Sequence, residues 1–583
     1  MTELILGIDV GTTAVKAGLV DGRGRMVARF REAYPTHRPR PGWAEQDAED
    51  WLRLVDGALA ALAGGPDGGF AAKPPSPAAA SHAGFAAKPG DAGAEPDGGF
   101  AAKPPEADRK PRDGFAAKPL DGDAEPREGF AAKPPKESAE PARGFASKPP
   151  RANPGTSRGF AAKPSVAAVG LCSQVNTHVF VGADDRPLMP AILWQDGRAV
   201  AEAAELDARV DEASRLRWWG APLPIDASHP LARMLWVARH RPDVWDRTRW
   251  VMLPKDLCLL HLTGEAATDP VSNIGLVDAG LRPIAELLEL VPGAAERLAP
   301  VVAPDAVAGR MRAGRPFAGA PVAAGAMDAW AGLAGAGGAR EGRAVYLGGT
   351  SEILGVSSHS VHPTQGAVVF PEALGVRLHA APTQSGGDAA AWAADALGLP
   401  LEAMSALVAA TPRGPATPLF LPQLEGERAP LWDTGLRGAF LGLTRSTGRG
   451  DLARAVLEGV ALSARHALET LDRSAGFRAD TVSCGGGGFR SEPWTRIRAD
   501  LLGRELRVLE AGEPGLLGAA AIAALGVGLY GDLAEAQGAL APVGRIVEPD
   551  PGMRGRADDL FGLYLDAVAA NRDAGRRLAA LHP

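Results

Sequence analysis

The turn after the first predicted strand carries groups that suit a phosphate. Glu3 to Thr12 has the pattern of a buried strand that ends in a glycine turn, and Ala14 to Asp21 has that of a second strand. Such a turn presents backbone N–H groups and hydroxyls to a phosphate, and a nearby carboxylate can hold Mg²⁺ through water. An ordinary hairpin would use the same residue types, so this turn alone leaves both interpretations open. The candidate ligands here are Asp9, Gly11, Thr12 and Thr13.

A second group of polar residues follows the strand predicted at Val166 to Leu171, beginning with Ser173 and Gln174. The carboxyl ends of strands are where ligand sites gather in open α/β sheets. Further along, Trp194 to Arg198 combines an aromatic ring, a carboxylate and a guanidinium, which a sugar site uses for stacking and for hydrogen bonds to hydroxyls. The alternative for Asp196 is an N-cap of the Ala-rich helix that follows.

Strands and helices alternate around these candidates, which predicts an α/β fold. Asp47 is expected to cap a helix that runs through Leu62, with Asp50 in the capping-box position. The apolar stretch Leu516 to Tyr530 is too short to span a bilayer and is predicted to be a buried helix.

Composition limits the classes of function. A chain of 583 residues allows two to four domains, and 46% apolar with 22% charged residues is typical of a soluble protein. The net charge of -7 argues against nucleic acid as a partner. The three cysteines are far apart, which excludes a disulfide framework, and there is no CxxC pair to suggest a zinc site. Without a signal peptide pattern or a membrane span, the protein is expected in the cytoplasm.

A 15-residue repeat separates the first helix from the next strand. The hexapeptide GFAAKP, once GFASKP, recurs from Phe70 to Phe160 with one large apolar residue per unit. Solenoid repeats need more apolar surface than this, because ordering the chain costs conformational entropy. We therefore predict that residues 64–165 are a disordered low-complexity insertion without a catalytic role.

The order of the motifs resembles that of the FGGY carbohydrate kinases, in particular the xylulokinase-like members. The resemblance covers nearly all of the chain outside the repeat. It is carried by GIDVGTTAVKA, GWAEQD, AILWQDGR, LPKDLCLLHLTGE, GAMDAWAGLAG, LGGTSEI, FLPQLEGERAP, ARAVLEGVA and GGGFRSEPWTRIRADLLG.

The resemblance implies a fold similar to actin, Hsp70 and hexokinase, with two ribonuclease H-like domains around a nucleotide cleft. The implied domains are residues 1–63 with 166–337, which bind sugar and phosphate, and residues 338–583, which bind adenosine. The segment Arg343 to Ser360 repeats the opening pattern of strand, Gly-Thr turn and strand, as a duplicated domain would. No Walker motif is present, so two facing turns would hold the triphosphate.

The same resemblance implies roles for individual residues. Asp328 takes the place of the catalytic aspartate, between a strand predicted at Pro321 to Ala324 and a helix predicted at Ala329 to Gly337. An aspartate at such a junction is otherwise more often a helix cap than a base. ATP and Mg²⁺ are the implied cofactors. The further implied ATP-binding residues are Gly349, Thr350 and Ser351 of the second turn and Gly486, Gly487 and Gly488 of the adenosine motif.

Two departures from the xylulokinase pattern leave the sugar open. The Gln-Met-His-Gly motif is replaced by Gln174 to Thr177, and Ala329 stands where Asn follows the catalytic aspartate. The expected sugar-binding residues are Gln174, Val175, Asn176, Trp194, Asp196 and Asp328. The expected substrate is a pentulose, with D-xylulose leading.

Several alternatives stay open at this stage. Kinases of other ketoses or of polyols such as ribulose, glycerol or erythritol would carry the same catalytic motifs. A sugar-binding regulatory pseudokinase and an actin-like ATPase are less favoured. The expected partners are the sugar and ATP, and the sequence does not decide between a monomer and a homodimer.

Overall fold

A computed structural model of the chain describes residues 3–64, 165–510 and 512–581. The insertion predicted at residues 64–165 lies outside the described residues except for its two end residues. The fold class predicted from the sequence, two domains of sheet and helices, is confirmed for the described part.

The first half of the described chain contains one large sheet and nine helices. Its strands are β1 (Leu4–Val10), β2 (Ala14–Asp21), β3 (Met26–Ala33), β4 (Glu45–Gln46), β5 (Val166–Ser173), β6 (Val179–Gly182), β7 (Ala191–Ile192), β8 (Thr248–Met252), β9 (Val307–Arg310), β10 (Pro321–Ala323) and β11 (Ala326–Met327). Its helices are α1 (Ala48–Ala63), α2 (Val200–Arg209), α3 (Glu212–Trp219), α4 (Pro230–His240), α5 (Pro242–Trp245), α6 (Pro254–Thr263), α7 (Ala285–Leu288), α8 (Ala294–Arg297) and α9 (Asp328–Leu333), which continues as a π-helical turn, Ala334–Gly338.

The second half contains the other large sheet and, among the described residues, seven α-helices. Its strands are β12 (Ala344–Gly348), β13 (Glu352–Ser357), β14 (Val368–Val369), β15 (Leu378–Pro382), β16 (Leu419–Leu421), β17 (Ala439–Leu441), β18 (Thr481–Gly485), β19 (Glu505–Leu509) and β20 (Val543–Val547). Its helices are α10 (Gly387–Ala396), α11 (Leu401–Ala410), α12 (Arg449–Ala475), α13 (Glu492–Leu502), α14 (Pro514–Gly526), α15 (Leu533–Leu540) and α16 (Arg554–Leu581), with 3₁₀ turns at Gly487–Phe489 and Pro551–Met553.

The two large sheets repeat one pattern of pairing. The first runs β3-β2-β1-β5-β10-β9, and the second contains the run β15-β13-β12-β18-β19-β20. In both runs the successive pairs are antiparallel, antiparallel, parallel, parallel and antiparallel. The duplication expected from the two Gly-Thr turns is therefore confirmed.

Local sequence signals explain where several elements begin and end. The strand β1 consists of buried residues throughout, since LILGIDV is apolar at nearly every position. Asp47 caps α1 as predicted, because its carboxylate accepts the backbone N–H of Glu49 at 3.0 Å. The predicted capping box is wrong, since the Asp50 carboxylate accepts a hydrogen bond from Arg53 at 2.9 Å instead.

Helix α14 comes from the second half of the sequence and packs on strands β1 and β5 of the first sheet. It is buried along its length, as predicted for this apolar segment. Glycine allows the close approach: a Cβ at Gly170 would lie 1.9 Å from the carbonyl oxygen of Ala519. The first sheet and the second half of the sequence are therefore joined by direct backbone packing.

Among the described residues, no single helix is long and apolar enough to span a membrane. The helix pair α10 and α11 passes that test together by length and composition alone, although it bends by 87°.

Candidate functional site

The first Gly-Thr turn joins β1 to β2 and is closed by a hydrogen bond from Gly11 N to Ala14 O at 3.2 Å. The hydroxyl of Tyr34 donates a hydrogen bond to the carbonyl oxygen of Gly11. Thr13 is exposed at the tip of the turn. Gln46 fixes the turn from another side, since its amide donates to the carbonyl of Thr12 at 2.7 Å. The turn is thus rigid, with hydroxyls at its surface that can contact a phosphate.

Three charges meet beside this turn. The ammonium of Lys16 lies 3.3 Å from Asp9 Oδ2 and 3.2 Å from Glu513 Oε2, which precedes α14. Burial raises the pKa of Asp9, and Lys16 opposes that rise. Although burial lowers the pKa of Lys16, the two carboxylates outweigh it and raise that pKa above its ordinary value. Lys16 is therefore protonated at neutral pH and places a positive charge beside the first turn.

Asp9 has one oxygen left for a ligand. Its Oδ1 is buried and has no hydrogen-bond partner, whereas Oδ2 bonds Lys16. Gly11 and Gly515 leave space around the carboxylate, with ideal Cβ positions 3.6 and 3.4 Å from its oxygens. Among the described residues there is no group of three or more His, Cys, Asp or Glu side chains that could hold a metal ion. A single free carboxylate oxygen fits a Mg²⁺ ion that takes its other ligands from water and phosphates.

Asp328 follows β11 directly and is the first residue of α9. Strand β11 pairs with the end of β5, where Met327 lies opposite Ser173. Burial raises the pKa of Asp328 to about 7, and the charge of Asp9 adds to the rise, while the backbone N–H of Ala329 opposes it with a hydrogen bond of 2.7 Å. A carboxyl group with this pKa can exchange a proton near neutral pH.

The second Gly-Thr turn, between β12 and β13, is exposed at all three of its residues, Gly349 to Ser351. The N-terminus of α10 lies against it, because Gly387 N donates to Gly349 O at 2.9 Å and Asp388 N donates to Thr350 O at 3.0 Å. The positive end of a ten-residue helix therefore faces this turn. The sequence motifs did not indicate this helix as part of the site.

The glycines of the predicted adenosine motif lie against the end of β12. Gly486 has a φ of 92°, and a Cβ there would lie 2.4 Å from Gly348 O, so only glycine fits. Gly487 has open space around it. The buried guanidinium of Arg498 holds this segment, since it donates to Gly488 O at 2.7 Å and pairs with Glu352 of β13. The adenosine motif and the second turn are therefore fastened together.

The predicted sugar residues that follow β5 lie at the carboxyl end of that strand, as expected. Gln174 is buried, donates to Gln46 Oε1 at 2.9 Å, and keeps a buried Oε1 without a partner. Val175 packs at the edge of the apolar cluster that contains Met327. Asn176 has a left-handed φ of 51° and donates to Ser228 Oγ at 3.2 Å. The free oxygen of Gln174 is an acceptor that a sugar hydroxyl can satisfy.

Trp194 connects this region to the first turn, because its indole N–H donates to Thr12 Oγ1 at 3.2 Å. The loop beneath it is held by Arg233, whose buried guanidinium donates to the carbonyls of Asn176, Ile192 and Leu193. Burial lowers the pKa of Arg233 to about 9. Arg233 was not predicted, and its lone position on a helix gave no signal of this role.

Both carboxylate oxygens of Asp196 are occupied by hydrogen bonds from within the protein. Its Oδ1 accepts the backbone N–H and Nε of Arg198 at 2.9 and 2.8 Å. Its Oδ2 accepts Ala44 N at 2.6 Å and Arg198 Nη2 at 2.7 Å. The alternative role as a helix N-cap is wrong, because Ala199 precedes α2 and no side chain caps that helix. Asp196 therefore stabilises the loop after Trp194 through hydrogen bonds to Ala44 and Arg198.

Besides Arg233, four charged side chains of this region were not predicted from the sequence: Lys16, Glu352, Arg498 and Glu513. Three of them lie within or next to the motifs that carried the resemblance, in AVKA, TSEI and TRIRAD. Glu513 had no local signal, since its partner Lys16 is almost 500 residues away in the sequence.

Comparisons with known proteins agree with this geometry. Residues 4–65 and 159–335 match the N-terminal domain of the FGGY family of carbohydrate kinases, and residues 344–527 match its C-terminal domain. The chain is 28% identical to the xylulose kinase of Escherichia coli over 534 residues, 89% of either chain. It is 30% identical to the glycerol kinase of Gloeobacter violaceus over 400 residues, 66% of this chain and 79% of that one.

A solved structure from Brucella ovis, described as a "xyloylose kinase", covers 97% of this chain and 99% of its own length with a TM-score of 0.72 and 26% identity. The family resemblance and the assignment as an enzyme are both confirmed by these matches. Two matched family domains, two sheets of like pairing and a shared order of motifs lead to one conclusion: the chain belongs to the FGGY family of carbohydrate kinases.

Proposed function

We propose that this chain transfers a phosphoryl group from ATP to a hydroxyl of a pentulose, with D-xylulose as the leading substrate and Asp328 as the general base. The observation that carries the proposal is the position of the buried Asp328 directly after β11, which pairs with the end of β5 at Ser173; the raised pKa of Asp328, about 7, supports it. A base works best when its pKa lies near the working pH, because it is then both ionised and able to accept a proton.

The proposed step needs little covalent chemistry from the protein. Asp328 orients the sugar hydroxyl and takes its proton as the sugar oxygen attacks the γ-phosphorus. The turns at Thr12 and Thr350 hold the phosphates with their N–H groups and hydroxyls. Lys16 adds a positive charge beside the first turn.

Asp9 would hold Mg²⁺ through water with its free Oδ1, which is buried and unpartnered. When bound, the ion neutralises charge on the β- and γ-phosphates. Gly486, Gly487 and Gly488 would border the adenosine, where the backbone next to Gly487 is open.

The choice of sugar rests on the residues after β5 and on the relatives. Gln174, Val175, Asn176 and Trp194 would face the substrate, and Asp196 would act through the loop that it supports. Relatives named xylulose kinase favour a pentulose. The glycerol kinase relative keeps a polyol as the alternative.

The two halves of the duplicated fold would bind different substrates. We propose that residues 1–63 and 166–337 bind the sugar and that residues 338–583 bind the adenosine. Helix α14, which belongs to the second range, packs on the first sheet. Glu513, the residue before this helix, pairs with Lys16 beside the first turn.

A coupled ADP-release assay with Mg-ATP tests the proposal against D-xylulose, D-ribulose, L-xylulose, L-ribulose, glycerol and erythritol. We expect turnover with one or two of these and its loss in Asp328→Ala, with sugar binding followed by calorimetry in both proteins. ADP release that needs no sugar would indicate an ATPase. Sugar binding without turnover in the wild-type protein would indicate a pseudokinase.

A further inference from the structure

In the part of the chain that the structure describes, the guanidinium of Arg428 hydrogen-bonds a backbone carbonyl and no carboxylate. Its Nη2 donates to the carbonyl oxygen of Thr383 at 2.6 Å, and its Nε is buried with no hydrogen-bond partner. Among the described residues it forms no salt bridge, and Glu427 is the carboxylate whose charge acts on its pKa. The side chain belongs to the FLPQLEGERAP motif, to which the proposed function assigns no role.

The neighbouring Glu427 does not compensate this charge directly. Its Oε1 accepts the backbone N–H groups of Gln384 and Arg428, and its Oε2 accepts the hydroxyl of Ser385 at 2.7 Å. Burial lowers the pKa of Arg428, and the charge of Glu427 opposes that effect. A desolvated guanidinium with an unused N–H group has a strong preference for an oxyanion.

The backbone fixes where this guanidinium lies. Thr383, its carbonyl partner, donates its own N–H to Glu352 O at 2.9 Å, and Glu352 directly follows the second Gly-Thr turn. On the other side, the guanidinium carbon lies 5.8 Å from the ring centroid of Trp194, whose indole bonds Thr12 of the first turn. Trp194 therefore connects Arg428 to the first turn, and Thr383 and Glu352 connect it to the second.

We propose that Arg428 binds the phosphoryl group as it passes from ATP to the sugar, an assignment that rests on the proposed function. In that step the bond from the γ-phosphorus to the ADP oxygen breaks and the bond to the sugar oxygen forms. The hydroxyl proton passes to Asp328. Arg428 exchanges no proton, and its N–H groups hydrogen-bond the oxygens of the moving group, whose charge they stabilise.

Two other roles would use the same guanidinium. It could bind the carboxylate of an acidic sugar, or it could only pack on the ring of Trp194. The first would place a charged substrate group next to both turns, where phosphates would repel it. The second leaves the buried Nε without a partner, which costs stability. Both alternatives are therefore less favourable than a phosphoryl ligand.

The experiment compares the wild-type protein with Arg428→Met, Arg428→Lys and the control Arg239→Met. Arg239 is an exposed side chain whose partner is Glu205 on the protein surface. The first readout is the rise in Tm that inorganic phosphate produces in the presence of MgADP, against chloride of the same ionic strength. The second is kcat and KM for the sugar found by the ADP-release panel.

We expect Arg428→Met to lose the phosphate-dependent rise in Tm and to lower kcat about 100-fold, with KM for the sugar changed less than about threefold. Arg428→Lys should recover part of both, since it restores the charge without the fork of N–H groups. Arg239→Met should behave as the wild type. An unchanged phosphate response in Arg428→Met would overturn the inference.

The outcomes separate this inference from the proposed function. If the wild-type protein phosphorylates a sugar and Arg428→Met keeps its kcat, the inference is wrong and the function stands. If no sugar is phosphorylated, a phosphate response in MgADP that depends on Arg428 still supports the anion site. A response to D-gluconate that depends on Arg428, with none to phosphate, would assign the guanidinium to a sugar acid and refute the proposal.

Discussion

Replacing Asp328 with Asn is expected to stabilise the protein at alkaline pH while it abolishes turnover. The folded chain holds the pKa of this carboxyl at about 7, against an ordinary value of 3.8. Between these two values the folded state binds a proton that the unfolded state has released. Raising the pH through this window therefore removes stability, and the loss is complete above about pH 7.

The magnitude follows from the difference between the two pKa values. It is about three pH units, and each unit is worth about 1.4 kcal/mol, so the penalty reaches at most about 4 kcal/mol. Asn is neutral at every pH and keeps an oxygen that can accept the Ala329 N–H. The variant should gain about 4 to 8 °C in Tm over the wild type at pH 8.5 and almost nothing near pH 4.

Thermal unfolding followed by tryptophan fluorescence at half-unit steps from pH 4.0 to 8.5 measures the difference. The titratable groups whose charges are coupled to Asp328 include Asp9, Lys16, Cys172 and Tyr34, and all are present in both proteins. A Tm difference that does not change with pH would refute the reasoning. So would a variant that is less stable than the wild type at pH 8.5.

The same ionisation should appear in the kinetics of the wild type. A base must be ionised to accept the hydroxyl proton, so kcat/KM should rise about tenfold per pH unit below about pH 7 and level off above it. The enzyme would thus be most active above about pH 7, the range in which the ionised Asp328 lowers the stability of the fold the most. A rate that falls across this range would remove Asp328 as the base.

Three further substitutions, one of them with a matched control, test the site and the packing around it. Lys16→Met leaves two carboxylates without their cation and should cost about 2 kcal/mol in thermal unfolding, less than a fully buried pair because the side chain is 29% exposed. Gly170→Ala places a Cβ 1.9 Å from Ala519 O and should yield little folded protein. Its control is Gly57→Ala in helix α1, where a Cβ would meet nothing within 4 Å; this variant should raise the free energy of unfolding by about 0.5 to 1 kcal/mol. Asp196→Asn breaks a buried ion pair and should lower stability by about 3 kcal/mol together with a higher KM for the sugar. A higher KM at unchanged Tm would instead favour direct contact between Asp196 and the substrate.

Features set by neighbouring residues could be predicted from the sequence. The hairpin around Gly11 and the cap at Asp47 depend on turn and capping chemistry within a few residues, and both occur as expected. The duplication could be predicted because the pattern of strand, Gly-Thr turn and strand is visible twice. The role of Asp328 as a base rests on the resemblance and stays a prediction, since an aspartate at such a junction is more often a helix cap.

Features set by distant partners could not be predicted. Lys16 meets Glu513, and Arg428 lies over Trp194, only because the fold brings these segments together. Asp196 shows the same limit at short range. An aspartate before an Ala-rich helix resembles an N-cap, yet Arg198 two residues later takes the carboxylate, and no spacing rule separates the two outcomes.

The strand register shows why the duplicated turns are not equivalent. In the first hairpin, the cross-strand pair one position before the turn end of the ladder is Asp9 with Lys16. The corresponding pair in the second hairpin is Leu347 with Ile353. The first copy therefore supplies a carboxylate and an ammonium, while the carboxylate of the second, Glu352, is buried and bound by Arg498 and Tyr346. A metal that needs a carboxylate oxygen can be held through the first copy alone. Because Asp328 also follows a strand of the first sheet, the proposed base and the proposed metal ligand belong to one half of a symmetric scaffold, and Arg428 is the charge that the other half would contribute.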